Sequence, residues 1–145
     1  MKELCIDASI AVKLVLKGES HRATARRLVK ECLVNNITLI SPHLFECEVD
    51  SVILRRVSQN RLRAIDAERA LAGLGMIPVR TMAHPDLRAR AREIALQFNL
   101  DAVYDATYAA LAELRGCDFW TADKRFFEVV TPHCDFVKYL PNYPN

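Results

Sequence analysis

Four acidic residues, Asp7, Glu48, Asp105 and Asp123, stand where the sequence predicts strand ends or helix faces that are otherwise apolar. The carboxyl ends of parallel strands lie at one edge of a sheet, so side chains from distant parts of the chain can meet there. A carboxylate in an apolar setting costs free energy unless something cationic or a hydrogen-bond donor meets it. The most economical explanation for the four together is a site for a hard metal ion.

Asp7 and Asp123 each follow a predicted strand, residues 4–6 and 117–121, and each precedes a predicted helix. Each is therefore also a good candidate for the N-cap of the helix that follows it, a common role for Asp. Taken alone, neither residue decides between capping and metal binding.

Glu48 and Asp105 are harder to explain as solvated surface charges. At about 100° per residue, Glu48 falls between Leu44 and Val52, at the edge of the apolar arc of its predicted helix. Asp105 lies in residues 102–112, a helix that is apolar nearly all round and should be buried. A carboxylate in either place needs a metal ion, another cation or a set of hydrogen-bond donors.

The composition of the cluster indicates which ion it would hold. Carboxylates about 5 Å apart repel each other by roughly 3 kcal/mol at an effective dielectric constant near 20, so a purely structural cluster would be unstable. Oxygen ligands without cysteine or paired histidines favour Mg²⁺ or Mn²⁺ over zinc. Asp101, one turn before Asp105, is either a joint ligand or the N-cap of the helix that Gly116 ends.

The whole-chain properties are those of an ordinary globular protein. The chain has 145 residues, 51% of them hydrophobic and 26% charged, with a formal net charge of +2. We expect a single domain over residues 1–145, in which a polyanionic partner is permitted but not indicated. Residues 10–16 are too short an apolar run to cross a membrane, and no N-terminal signal is present, so we expect a cytoplasmic protein.

Short apolar runs alternate with helical patterns, which predicts an α/β fold with a parallel sheet. The predicted strands are residues 4–6, 37–40, 76–79, 117–121 and 136–139, and Pro78 places the third of them at an edge. The predicted helix starts are Ser20, Ser41-Pro42, Asp66, His84-Pro85 and Asp101.

Four segments together resemble the motifs of PIN-domain ribonucleases. Their order and spacing, and the chain length, are most similar to the VapC-type toxins of bacterial and archaeal toxin–antitoxin pairs. The segments are Ile6-Asp7-Ala8-Ser9, the run from Pro42 to Val49, the run from Tyr104 to Ala112, and the run from Trp120 to Phe126.

This resemblance implies a three-layer PIN-like fold, with a five-stranded parallel sheet between helices. It also implies a homodimer and a small antitoxin protein as the inhibitory partner. The acidic metal site is carried over onto Asp7, Glu48, Asp105 and Asp123. Ser9 and Thr121 occupy the small hydroxyl positions that often line such a site. Ser51 stands where the family often has Asn, which weakens any supporting role at that position.

The mechanism we infer from this pattern is metal-dependent hydrolysis of an RNA phosphodiester. One or two Mg²⁺ ions would polarise the phosphate and lower the pKa of a bound water for in-line attack. Asp7 and Asp105 are the expected direct ligands, while Glu48 and Asp123 would bind directly, bind through water or orient the nucleophile. Cations near these segments are candidates for contacting RNA phosphates, namely Lys13, Arg55, Arg56, Lys124 and Arg125.

Two competing interpretations predict other activities. A catalytically silent PIN-like module would bind RNA or a partner protein, and the four intact carboxylates argue against it. An aspartate-nucleophile phosphatase usually carries Asp-x-Asp after its first strand, whereas this chain has Asp7-Ala8-Ser9. Cleavage of RNA with and without a divalent ion distinguishes these interpretations.

Overall fold

The structure, a computed structural model, describes residues 2–145. Within this range one parallel sheet forms from β1 (Glu3–Ile6), β2 (Thr38–Pro42), β3 (Val79–Met82), β4 (Asp118–Thr121) and β5 (Val137–Tyr139). The strand order is β3-β2-β1-β4-β5. The chain therefore adds β2 and β3 on one side of β1 and then crosses over to add β4 and β5 on the other side of β1. The crevice between β1 and β4 is therefore the place where ligands bind in open parallel sheets. The predicted five-stranded parallel α/β fold is confirmed.

Helices connect the strands and cover both faces of the sheet. They are α1 (Ala8–Val15), α2 (Arg22–Val34), α3 (Leu44–Ser58), α4 (Ala64–Leu74), α5 (Leu87–Gln97), α6 (Tyr104–Arg115) and α7 (Lys124–Val130), with a 3-10 turn at Leu140–Asn142. Among residues 2–145, no helix combines the length and apolar character needed to span a membrane. The expectation of one domain stays a prediction, favoured by a sheet whose strands come from both ends of the chain.

Two hydrophobic cores lie on opposite faces of the sheet because neighbouring strand residues point to opposite sides. Cys5 belongs to the larger core, which α3 to α7 cover, and Ile6 belongs to the smaller one beneath α2. Ile40 and Leu39 divide in the same way. The sheet is thus buried on both faces, as all-parallel sheets require.

Helix α6 positions the site because it packs across β1, β2 and β4. Its alanines, buried from Ala106 to Ala112, let it approach the sheet closely. Gly116 ends α6 with a φ of 67°, a left-handed conformation that glycine adopts without strain. The chain enters β4 two residues later, so α6 runs antiparallel to the strands and its N-terminus lies at the edge where they end.

The predicted helix start at Ser41-Pro42 is wrong. Strand β2 continues through Pro42, which is paired in register with Met82, and α3 begins only at Leu44. The hydroxyl of Ser41 is fully buried and donates to the carbonyl oxygen of Ile6 at 2.5 Å. A tertiary hydrogen bond between neighbouring strands therefore takes the hydroxyl that the sequence assigned to a helix cap.

Two other helix caps also differ from the prediction. The residue before α2 is His21, with a φ of 57°, rather than Ser20. The residue before α4 is Arg63, and Asp66 lies inside the first turn, where its carboxylate pairs with Arg63 at 2.8 Å.

The remaining differences concern β3 and the helices that flank it. Strand β3 covers 79–82 rather than 76–79, so Pro78 precedes it, but its edge position is confirmed. Helix α5 begins at Leu87, just after the predicted His84-Pro85 start. Asp101 is not the cap of α6, whose N-cap position is Val103.

Replacing Ser41 by Ala is expected to lower the free energy of unfolding by about 1–2 kcal/mol, because the buried carbonyl of Ile6 loses its donor. Urea unfolding monitored by circular dichroism measures this. Ser51→Ala is the matched control, since Ser51 is exposed on α3, and it should change stability by no more than about 0.5 kcal/mol. Equal stabilities of the two variants would contradict the structural role of Ser41.

Candidate functional site

Asp7 lies at the carboxyl end of β1 and is 3% exposed. Its Oδ1 accepts hydrogen bonds from the hydroxyl of Ser9 at 2.5 Å and from the backbone N–H of Ile10 at 3.3 Å. Its Oδ2 accepts from the hydroxyl of Thr121, at the end of β4, at 2.5 Å. Asp7 is therefore the N-cap of α1 and at the same time ties β1 to β4.

The same two hydroxyls hold the turn that carries Asp123. Ser9 Oγ accepts from the backbone N–H of Ala122 at 2.9 Å, and Thr121 Oγ1 accepts from the backbone N–H of Asp123 at 3.0 Å. Asp123 Oδ1 in turn accepts from the backbone N–H of Phe126 at 3.0 Å, which caps α7. Both predicted hydroxyl positions thus contact Asp7 and fix the backbone beside Asp123.

Glu48 and Asp105 approach from helices α3 and α6 and are partly buried. They line one cavity of about 530 Å³ together, and Asp105 lines a second cavity of about 400 Å³ with Asp123. Glu48 Oε1 is buried and has no hydrogen-bond partner among the described residues. Asp105 therefore stands between two cavities, one shared with Glu48 and the other with Asp123.

The pKa values show that the carboxylates influence one another. Burial raises the pKa of Asp7 to about 6, against the hydrogen bonds from Ser9 and Thr121, and the charge of Asp123 raises it further. Burial, followed by the charges of Asp105 and Asp7, raises the pKa of Glu48 to about 7. Burial, followed by the charges of Asp123 and Asp7, raises the pKa of Asp105 to about 6.

No cation within residues 2–145 pairs with these carboxylates. Across residues 2–145, none of the four carboxylates lies within salt-bridge distance of a Lys, Arg or His. In the same range, no three His, Cys, Asp or Glu side chains are already placed as a metal-ligand set. The oxygen-only donors and the unpartnered buried oxygen of Glu48 nevertheless fit a hard divalent ion, which prefers such ligands.

Two of the predicted RNA contacts are engaged within the protein. Lys13 is 9% exposed, and its ammonium donates to the carbonyl of Ser20 at 2.8 Å. Arg56 pairs with Glu19 at 2.7 Å. The ammonium of Lys13 therefore holds the loop after α1, and its contact with RNA stays a prediction.

The other predicted cations, Arg55, Lys124 and Arg125, are exposed, and two of them line the cavities. Arg55 lines the cavity of Glu48 and Asp105, and Arg125 lines the cavity of Asp105 and Asp123. Lys124 lies 3.8 Å from Glu128, an exposed pair that contributes little. Asp101 is exposed and lines the same cavity as Arg125, so it adjoins the site without capping α6.

Two tyrosines of α6 belong to the site although the sequence did not single them out. Tyr104 is 61% exposed and lines both cavities beside Asp105. Tyr108 is fully buried, its hydroxyl has no partner among the described residues, and burial and the charge of Glu48 raise its pKa. The available signal for Tyr108 was its spacing, three residues after Asp105 on the same helix, and no spacing signal pointed to Tyr104.

Comparison with known proteins gives consistent matches over most of the chain. The family model described as PIN domain matches residues 4–131. A VapC ribonuclease of Mycobacterium bovis, Mb0985, and ribonuclease VapC9 of Mycobacterium tuberculosis are each 34% identical over 131 residues. Each alignment covers 90% of this chain and 94% of the relative.

Solved structures share the fold at lower identity. PAE2754 from Pyrobaculum aerophilum superposes with a TM-score of 0.64 at 22% identity, covering 88% of this chain and 86% of its own. VapC20 of Mycobacterium tuberculosis, described as a sarcin-ricin loop cleaving toxin, superposes with a TM-score of 0.63 at 20% identity. That match covers 86% of this chain and 93% of VapC20.

With a chelator present to remove divalent ions, Glu48→Gln is expected to raise the free energy of unfolding above pH 7 and to change it little near pH 4.5. The pKa of Glu48 is raised from 4.5 to about 7, so the folded state holds a proton that the unfolded chain releases between these values. The cost of ionising Glu48 in the fold therefore grows from about pH 4.5 to about pH 7 and is constant above. Allowing for its partial exposure, we expect a gain of about 1–2 kcal/mol at pH 8 by urea unfolding.

Glu46→Gln is the control, because Glu46 is exposed on the same helix. It should change stability by no more than about 0.5 kcal/mol at any of these pH values. A Glu48→Gln protein that is less stable than the wild type at pH 8 would show that the carboxylate has a stabilising partner.

Proposed function

We propose, from the premise that this chain belongs to the PIN-domain family, that it is a ribonuclease dependent on Mg²⁺ or Mn²⁺ and the toxin of a toxin–antitoxin pair. The observation that carries the proposal is that the carboxylates of Asp7, Glu48, Asp105 and Asp123 influence one another's charge and have no cationic partner within residues 2–145. Similarity to VapC ribonucleases over 90% of the chain supports RNA as the substrate.

The residues divide into ion-binding and supporting groups. Asp7 and Asp105 would hold the ion directly, and Glu48 and Asp123 would bind it directly, bind through water or orient the nucleophile. A divalent ion held there polarises the scissile phosphate and lowers the pKa of an attacking water. Ser9 and Thr121 hold the carboxylate of Asp7 in one orientation by donating to both of its oxygens.

Binding of RNA requires cations outside the acidic cluster. Arg55 and Arg125 line the cavities on the two sides of Asp105, so they can neutralise phosphates that flank the scissile one. Tyr104 is exposed between the two cavities and offers a face on which an unpaired base can stack. The site therefore suits a single-stranded or looped segment.

The proposal extends to a small antitoxin protein as partner, to a homodimer and to a cytoplasmic location. The named relatives support the antitoxin, since VapC proteins are the toxins of such pairs. Cys47 and Leu54 on the outer face of α3 are exposed, Leu54 to 57%, and could contribute to a protein interface.

Asp105→Asn is expected to lower the rate of RNA cleavage in Mg²⁺ by at least about 100-fold. Asp105 accepts no hydrogen bond in the described structure, so the substitution removes charge without removing a structural contact. Asp50→Asn, an exposed residue on α3, should keep the wild-type rate within about threefold. Gel assays with a chelator complete the test, since cleavage that survives chelation would remove the metal mechanism. RNA binding without any cleavage would instead favour the silent module.

Mn²⁺ is expected to stabilise the wild-type protein against thermal unfolding at pH 8, because it relieves the repulsion among the carboxylates. At a hundredfold excess over Kd the gain is about 2.7 kcal/mol. Asp105→Asn should lose most of this gain, and Asp50→Asn should keep it. Calorimetry with and without the ion measures the effect independently of catalysis, and an equal gain in all three proteins would place the ion elsewhere.

A further inference from the structure

A third cavity, of about 430 Å³, lies beside the carboxylates between the start of α3, the end of β3 and helices α5 and α6. We refer to it as the α5 groove, and Leu44, Met82, His84, Arg88, Arg92 and Val103 define it. Its volume is within the range of about 300–1,000 Å³ that is usual for small-ligand sites. Neither the carboxylate cluster nor the contacts proposed around it uses this groove.

The α5 groove adjoins the carboxylate site at Leu44. Leu44 lines both the groove and the cavity that contains Glu48 and Asp105. Val103 and Thr107 line the groove from the opposite side of α6, because side chains two residues from Asp105 point away from it. A chain that crosses Leu44 can therefore place one unit beside Asp105 and the next in the groove.

The charge of the groove suits an anion. Arg88 and Arg92 are exposed, lie one helical turn apart and form no salt bridge within residues 2–145. Arg90 on the same helix, by contrast, pairs with Glu93 and Glu113. Among the described residues that line the groove, none is acidic. The nearest acids in sequence are Asp86 and Glu93, and both are exposed. Asp86 lies 4.0 Å from His84 Nδ1, and Glu93 pairs with Arg90.

The lining of the groove suits a flat, partly apolar ring. Leu44, Met82 and Val103 supply apolar surface, and Val103 is 40% exposed. The backbone N–H of Asp86 donates to His84 Nδ1 at 3.1 Å, which leaves Nε2 as the ring's donor. Apolar contact, a hydrogen-bond donor and guanidinium planes are the groups by which proteins recognise unpaired bases.

We propose that the α5 groove binds the ribonucleotide adjacent to the scissile phosphate, with the base on the apolar lining and its phosphate on Arg88 and Arg92. The assignment rests on the proposed function, and it names a part of the substrate-binding surface that the carboxylates do not reach. A polyanion fits the groove better than a protein segment does. Arg88 and Arg92 have no acidic neighbours in the groove, so a protein segment would have to supply two suitably spaced acidic side chains to pair with them.

The test measures binding of a fluorescein-labelled 12-nucleotide single-stranded RNA of mixed sequence by anisotropy, on Asp105→Asn proteins so that the RNA stays intact. Adding Arg88→Ala and Arg92→Ala is expected to weaken binding about tenfold. It should also reduce the slope of log K against log salt by about 0.7, the value for one phosphate of a single strand.

The matched control removes Arg26 and Lys30 instead. They have the same spacing and are exposed on α2, on the opposite face of the sheet. This control loses the same two charges as the groove variant. It should leave the affinity and the slope within error of the parent, because α2 lies on the opposite face of the sheet from the groove. Equal effects of the two pairs would overturn the proposal, since the loss would then reflect net charge alone.

A second variant tests the base. Val103→Ser removes apolar surface at the N-cap position of α6, where serine is well tolerated. The parent is expected to prefer the RNA severalfold over an abasic ribose-phosphate chain of equal length. Val103→Ser should reduce that preference without changing the salt slope, and an unchanged preference would overturn the placement of the base.

Further outcomes distinguish a nucleotide site in the α5 groove from an interface between copies of the chain. They also test nucleotide binding in the groove separately from the nuclease activity. Unchanged RNA affinity with a changed molecular mass by light scattering would make the groove an interface between copies and overturn the proposal. The predicted losses of affinity without cleavage by the wild type would support the groove and reject the nuclease. If the wild type cleaves RNA and the Arg88→Ala, Arg92→Ala double variant cleaves it with the same KM, the result would support the nuclease activity and reject the α5 groove as a nucleotide site.

Discussion

The carboxylate of Asp7 is held between the ends of the two central strands, and the geometry of the site depends on this contact. Its three donors are all neutral, so they orient the carboxylate but do not neutralise it. Burial accordingly raises its pKa to about 6. The crossover that sets β4 beside β1 brings Thr121 to Asp7, and Thr121 in turn fixes the turn of Asp123. The strand order thus determines which hydroxyls reach Asp7, and the same hydroxyls determine the position of Asp123.

Capping and metal binding were alternatives for Asp7 and Asp123 when only the sequence was considered. The structure shows that capping does not exclude another role, because a carboxylate has two oxygens and about four acceptor positions. Asp123 uses Oδ1 to cap α7. A helix that starts directly after a strand end needs a cap at the same edge of the sheet where a ligand binds. The position of an acidic residue between a strand and a helix therefore predicts where the site lies. It does not predict whether that residue only caps the helix or also has a second role.

The sequence predicted the strands and most helices because buried parallel strands and amphipathic helices leave clear periodic patterns. It failed where a tertiary contact overrides a local signal. Ser41-Pro42 has the composition of a helix start, but pairing with β3 and the hydrogen bond to Ile6 extend the strand. The sequence offered Lys13 only as a candidate contact for RNA phosphates and gave no sign that its ammonium donates to the carbonyl of Ser20. The groove of Arg88 and Arg92 was inaccessible to sequence reasoning, because only folding brings α5 beside α6.

Negative and positive side chains are separated around the site, and under the proposed function this separation would couple ion binding to substrate binding. The four carboxylates repel one another and would repel a phosphate equally. Under the proposed function a divalent ion would reverse the local sign, so that a phosphate could approach Asp105 only with a cation in the cluster. Arg55 and Arg125 line the two cavities beside Asp105 and, within residues 2–145, pair with none of the four carboxylates. An arginine moved into the cluster would stabilise the fold by neutralising it, and for the same reason would compete with the ion. The uncompensated charge that raises the pKa values of Asp7, Glu48 and Asp105 is thus the property that would make the proposed site selective for a cation.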